Sequence, residues 1–402
     1  MKFKTFTALR HRNFQLFFIG QSVSLIGTWM HSLAQGWLVL KLTDSAFYLS
    51  LVQAMGSLPI LFFSLISGVV ADRVDKRNLL LVTQCLSMVL ALSLAVLVSM
   101  DVVRVWHVMV VAGLLGVVNT FDVPGRQSFL VDMVGKEDLM NGIALNSAVF
   151  NGARIVGPAI AGILIGVVGL SACFYVNAAS YLAIIACLLM MRFGPRPERR
   201  ESHPMLKELR EGLSYVRHAP SVSSFIFMVA ITSLFSIPYI ALMPVFARDI
   251  LGVGAKGLGV MMGSAGAGAL MGALTLASTG GFRRKGLTTL VSATASALAL
   301  LAFSFSRNPL LSDALLVVVG WGMITQLATV NTLIQTDVPD ELRGRVMSLY
   351  TLVFLGFIPV GNLMVGAMAH YLGTPYAVAI GACICLVTYA LLFSLKKELL
   401  RK

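Results

Sequence analysis

Gln21, Ser24, Thr28, His31 and Gln35 recur in the first apolar run of this chain at spacings of three, four, three and four. That period lays them along one face of an α-helix. Polar groups turned to lipid would find no water to bond, so the stripe is expected to face a central cavity. His31 is its one ionisable member. An imidazole with an ordinary pKa of about 6.5 can take up and release a proton at cellular pH. Arg154 stands inside the fifth apolar run, with Ser147 and Asn151 on its face. A guanidinium at that depth is costly unless it meets a cavity or a partner. It is therefore assigned to binding, the alternative being that carbonyls of its own bundle satisfy it. Asn146 adds a neutral polar group, and Trp29, Phe150 and Trp321 add apolar walls. This set suits the holding of a neutral or anionic amphipathic molecule. A desolvated cation would need an acid beside it, and no Asp or Glu lies in the middle of an apolar run; Asp122 and Asp313 come nearest. Proton handling then falls to His31, to Asp122 or to the bound compound. No metal-ligand spacing, phosphate loop or nucleophile triad is present, so neither an enzyme nor a cofactor is expected. The five cysteines fall in or at the ends of apolar runs and read as small hydrophobes.

The elements that must carry these residues follow from composition. Of 402 residues 57% are hydrophobic, and the mean hydropathy is +0.85. A polytopic membrane protein needs that much apolar surface and a soluble domain of this size does not. Backbone groups in lipid must bond internally, so the runs are expected to be helices. Twelve are counted, near 14–40, 47–70, 79–100, 105–121, 142–167, 171–191, 222–246, 257–278, 287–306, 310–333, 345–368 and 375–395. The first is too long for the core of a signal peptide and is read as a retained helix. The net charge of +13 sits in short connections rather than along one face, which excludes nucleic acid as a partner. Of the 31 Lys and Arg, 25 fall on the side that holds both termini and five on the other. That bias puts both termini in the cytoplasm. The connection 193–220 is the one long loop. Its first half is a solvated linker; Leu206, Leu209, Leu213 and Val216 in the second predict an amphipathic helix on the inner membrane face. The domains expected are 1–192, a first bundle; 193–220, the loop; and 221–402, a second bundle. Val118-Asn119-Thr120 echoes Val330-Asn331-Thr332, and Asp132 with Glu137-Asp138-Leu139 echoes Asp337 with Asp340-Glu341-Leu342, as a parallel repeat would.

Between the second and third runs, 68–77 reads Gly-Val-Val-Ala-Asp-Arg-Val-Asp-Lys-Arg. It resembles the signature loop of the major facilitator superfamily. Gly68, Asp72, Arg73, Lys76 and Arg77 match, and Asp75 stands where the family usually has Gly. In the fifth run Gly157, Pro158 and Gly162 match the antiporter motif of exporters in that superfamily, with Ala144, Ala153 and Ala161 in place of glycines. The wording around them, Asn141, Ala144-Leu-Asn146-Ser147 and Ala153-Arg154-Ile-Val-Gly157-Pro158, is similar to the branch of enterobactin and macrolide exporters. The arginine that many proton-coupled drug exporters carry in the fourth helix is missing from 105–121.

The resemblance implies an all-α membrane protein of twelve helices in two pseudo-symmetric six-helix bundles, in a bacterial inner membrane. It implies alternating access and proton-driven efflux of a small amphipathic compound, siderophore or drug-like. The expected partners are that compound, protons and membrane lipid, with the chain a monomer. A carrier that imports or flips a lipid or organic anion is the alternative, and a non-transporting receptor or scaffold a further one. An inner latch is expected, with Asp72 meeting Arg343, Arg345 and the start of the eleventh helix, and Arg73 or Arg77 meeting Asp122. The expected substrate group is Arg154, His31, Gln35, Asn151, Gln21 and Trp321; His31 and Asp122 are the candidates for proton coupling.

Overall fold

The computed structural model describes residues 6–192, 205–278 and 285–395; the Asp72 side chain, the linker of the long loop and the side chains of Leu206 and Leu209 lie outside them. Every regular element described is helical. The helices are α1 Arg12–Thr43, α2 Ala46–Arg73, α3 Lys76–Ser99, α4 Val105–Val134, α5 Leu139–Val167, α6 Leu170–Met190 and α7 Met205–His218. They continue as α8 Pro220–Ile231, α9 Tyr239–Val245, α10 Gly254–Ser278, α11 Lys285–Phe305, α12 Pro309–Asp337, α13 Asp340–Leu372 and α14 Thr374–Leu395. Two π-helical segments, Thr232–Ser236 and Phe246–Ile250, interrupt the seventh run and flank α9. Eleven spans among the described residues are long and apolar enough to cross a membrane, with Pro220–Ile250 counted as one. α1 is not among the eleven; it is 32 residues long and holds the polar stripe.

Local chemistry explains the ends. Asp75 is extended at φ −63° and caps α3, its carboxylate accepting the Asn78 N–H at 2.8 Å. A side-chain cap satisfies an otherwise orphan N–H, so the signature loop turns here without a glycine. Asn308 caps α12 in the same way. α4 does not end at 121. It runs through Pro124 to Val134 and carries Asp122 and Arg126 inside the helix. The apolar run resumes at Phe129, and burial of Phe129, Leu130, Met133 and Val134 holds the extension.

The chain forms two compact units: Met1–Leu38 with Leu58–Ser202, and Val39–Ser57 with His203–Lys402. In the first, α3 packs on α4 and α6. Phe14, Phe17, Leu80, Phe129, Tyr181 and Leu188 share one core. Ala8, ahead of α1, joins that core, and its N–H donates to Asn141 Oδ1 at 3.0 Å. In the second unit α12 lies against α10 and α11. The backbones come so close that a Cβ on Gly320 would stand 2.0 Å from the Ala265 carbonyl. Small residues at such crossings let helices associate where lipid removes the hydrophobic drive.

The amphipathic helix forms as α7, and it packs on α13. Glu211 pairs with Arg345, the Tyr215 hydroxyl donates to the Asp337 carbonyl at 3.5 Å, and Val216 is buried. At Gly212 a Cβ would meet the Arg345 carbonyl oxygen at 2.9 Å.

Candidate functional site: a crossing of two helices in the first unit

α5 crosses α1 at Gly157. A Cβ there would stand 2.6 Å from the Trp29 Cβ and 2.8 Å from the Ile26 carbonyl oxygen. Ala153 and Ala161 are buried on the same face of α5. The motif residues therefore bring α1 and α5 into contact, and the residues beside them flank the crossing. Arg154 is half-buried, its guanidinium carbon 5.7 Å from the centre of the Trp29 ring. Phe150, one turn earlier, meets Trp29 edge-on at 5.7 Å and 71°. Among the described residues no carboxylate pairs with Arg154. Its charge rests on an indole face, a contact worth about 0.5–1 kcal/mol at an exposed site and more when desolvated. The Asn151 amide donates to the Ser147 carbonyl at 2.9 Å, leaving the amide oxygen as an acceptor one turn from Arg154.

The stripe on α1 lies elsewhere. Gln21, Ser24, His31 and Gln35 are all at most 8% exposed. The Thr28 hydroxyl stands 3.5 Å from the Tyr181 hydroxyl, and His31 meets Phe174 edge-on at 4.9 Å. Beside the stripe, Gly27 is pressed on Asn177 and Ser180 of α6. Inside the first unit the stripe thus meets α6 at two points, Thr28 at Tyr181 and His31 at Phe174. His31 Nε2 bonds the Gln35 amide oxygen at 3.2 Å, and its Nδ1 is buried without a partner. Trp321 sits half-buried on α12 in the second unit.

Asp122 is 1% exposed. It accepts from Thr83 Oγ1 at 2.8 Å and Gln84 Nε2 at 2.7 Å, and it pairs with Arg126 one turn along α4. The expected contact with Arg73 or Arg77 does not form. Arg77 donates to the Leu188 and Leu189 carbonyls at 2.7 and 2.9 Å, and Lys76 pairs with Asp132 at 3.0 Å. The continuation of α4 places Asp122 inside the helix, where Arg126 reaches it first. Arg126 lies beyond the fourth run as read from the sequence, which ends at 121. The signal that finds it is the Asp-x-x-x-Arg spacing, which faces the two charges on one helix side. At the start of α13, Arg345 is held by Glu211, and Arg343 pairs with Asp340 and donates to the Gln335 carbonyl at 2.9 Å.

Long apolar helices, a half-buried cation without an acid and a charged signature loop define a membrane carrier of small molecules rather than an enzyme. The chain belongs to the family of the major facilitator superfamily described as transmembrane secretion effector, which matches residues 3–400. It is 26% identical to the staphyloferrin A transporter of Staphylococcus aureus, covering 95% of this chain and 97% of that protein. It is also 26% identical to the multidrug efflux pump Tap of Mycolicibacterium fortuitum, with 84% of each chain covered. An enterobactin exporter of Shigella boydii is 23% identical over 92% of this chain and 88% of its own. Among solved structures, the inward-facing unoccupied form of a bacterial homologue of the human lysosomal transporter Spinster shares the fold. It has a TM-score of 0.76 at 13% identity, and the match covers 100% of this chain and 98% of that one.

Proposed function

We propose that the protein exports a small amphipathic compound, neutral or anionic and siderophore- or drug-like, by proton-driven alternating access. In this reading twelve helices form two six-helix bundles in a bacterial inner membrane, with both termini cytoplasmic. The observation that carries it is Arg154, half-buried over Trp29 with no carboxylate partner among the described residues. A guanidinium so placed completes itself with an anion or a polar acceptor supplied by a ligand, and a lipophilic cation would be repelled. Trp29 and Phe150 offer the apolar part of such a ligand a wall. The siderophore transporters and the efflux pump among the relatives support both the compound class and the direction.

Proton coupling is assigned to Asp122 with Arg126, and His31 is the second candidate. In this reading a movement of α3 against α4 takes the Thr83 and Gln84 donors away from Asp122, which couples the carboxylate to the transport cycle. The test is flux in proteoliposomes with staphyloferrin A, enterobactin and a lipophilic cation as separate probes, with and without a pH gradient. Arg154→Ala is expected to lose the anionic probes selectively, while Asp122→Asn loses the response to the gradient. Wild-type preference for the lipophilic cation, or an Arg154→Ala protein that carries the anions unchanged, overturns the reading.

A further inference from the structure

The seventh span is a built break. At Thr232–Ser236 it becomes π-helical, at 237–238 it turns at Pro238, and α9 carries Pro244 before the second π segment. Thr232 fixes the first break. Its hydroxyl donates to the Met228 carbonyl at 2.8 Å and accepts from Gln326 Nε2 at 2.7 Å. The Tyr389 hydroxyl stands 2.8 Å away. With the threonine proton already committed, Tyr389 is the donor. All three side chains are 1% exposed. Two carbonyls of the π turn pass over glycines: a Cβ on Gly361 would lie 2.5 Å from the Leu234 oxygen, and one on Gly381 2.5 Å from the Phe235 oxygen. Segments of this kind recur at functional sites of helical proteins.

The far end of the same span is fastened differently. Arg248, in the second π segment, pairs with Asp44 in the α1–α2 connection and with Asp249 at 2.6 Å, and it donates to the Leu40 carbonyl at 3.3 Å. Just beyond Asp44, Ser50 of α2 is fully buried against α13, where a Gly366 Cβ would be 2.3 Å from the Ser50 Cβ. Through these contacts Val39–Ser57 belongs to the second unit, although α1 and α2 continue into the first.

We infer that residues 239–250 form a hinged gate whose pivot is the Thr232–Pro238 break and whose latch is Arg248 on Asp44 and Leu40. Arg248 is then a gating residue on the side opposite to the signature loop. The latch must let go of the α1–α2 connection before a compound leaves on that side. Asp44 is 81% exposed in its side chain, and an exposed ion pair is weak. A contact broken in every cycle must be weak. This gate rests on the transport reading, but its test reads conformation without substrate, so failure to export any chosen compound leaves it standing.

The experiment uses full-length protein in nanodiscs with the exposed Cys85 and Cys383 replaced by serine. Spin labels at Lys41 and Leu251 report the separation of the α1–α2 connection from the end of the gate. Asp44→Asn and Arg248→Gln are each expected to raise the open-to-closed ratio by about three- to fivefold, the range of a weak ion pair. The double variant should raise it no further, because both substitutions remove one contact. Tyr389→Phe leaves the latch intact and frees the pivot, and it should raise the same ratio. Distances unchanged in Asp44→Asn and Arg248→Gln, or fully additive effects, overturn the latch. A wild-type ratio in Tyr389→Phe overturns the pivot at Thr232.

Discussion

Two arginines of the first unit sit in neighbouring spans and are treated in opposite ways. Arg126 is held by the buried carboxylate of Asp122, which Thr83 and Gln84 complete. Arg154 lies over Trp29 with no acid among the described residues. The first charge is compensated inside the protein, by a carboxylate that also ties α4 to α3. The second keeps its hydrogen-bonding capacity for whatever enters beside it. A charge inside a span is therefore not by itself a binding group; its partner decides.

The largest effect should come from breaking the closed pair. Asp122→Asn leaves a guanidinium uncompensated in a dry setting, and the expected loss of stability is about 3–5 kcal/mol. Thermal unfolding in detergent measures it. Asp122→Asn combined with Arg126→Gln should be milder than Asp122→Asn alone, since no stranded charge remains; a double variant as unstable as the sum of the singles means the two residues do not act as a pair.

Next comes Arg154→Ala. It should leave stability near wild type but weaken anionic probes by about 10- to 100-fold, the range of a charge-assisted hydrogen bond. Equilibrium binding of enterobactin by the purified protein reads this directly, and an equal loss for a neutral probe would show that the arginine acts through packing. Gly157→Ala places a Cβ 2.6 Å from that of Trp29. The helices must part there, so anion affinity should fall by roughly tenfold along with a loss of about 1–3 kcal/mol in stability; retention of both would mean that the crossing is slack. Smallest is Trp29→Leu, which keeps the Cβ contact and removes the ring. A loss of about two- to fivefold in anion binding is expected, the size of a partly exposed cation–π contact, and no change would exclude the indole from the site.

How far the sequence carried this differs between the two arginines. Arg154 was legible because it is the one charged residue well inside the fifth apolar run, so its depth needs no knowledge of the fold. Arg126 was not, because Pro124 and Gly125 locally mimic a helix end; only the core formed by Phe129, Leu130 and Met133 shows that the helix goes on. The stripe on α1 was legible as one face, since spacing alone sets which residues share a side. Its surroundings were not, since Phe174 and Tyr181 of α6 meet it from more than 140 positions away in the chain.

By itself the sequence determined the helical class, the order of the apolar runs, the charged signature loop and the face on which each polar residue stands. These follow from local rules: the period of a helix, the length of a membrane crossing and the capping of a turn. Tertiary structure decided which face meets which. It buried His31 against Phe174, gave Asp122 the Thr83 and Gln84 donors of α3, docked α7 on α13 and left Arg154 to Trp29. Those outcomes depend on close approaches between distant segments, at Gly157, Gly212 and Gly366 among others. An individual sequence permits such approaches through its small residues but does not say which partner comes to fill the space.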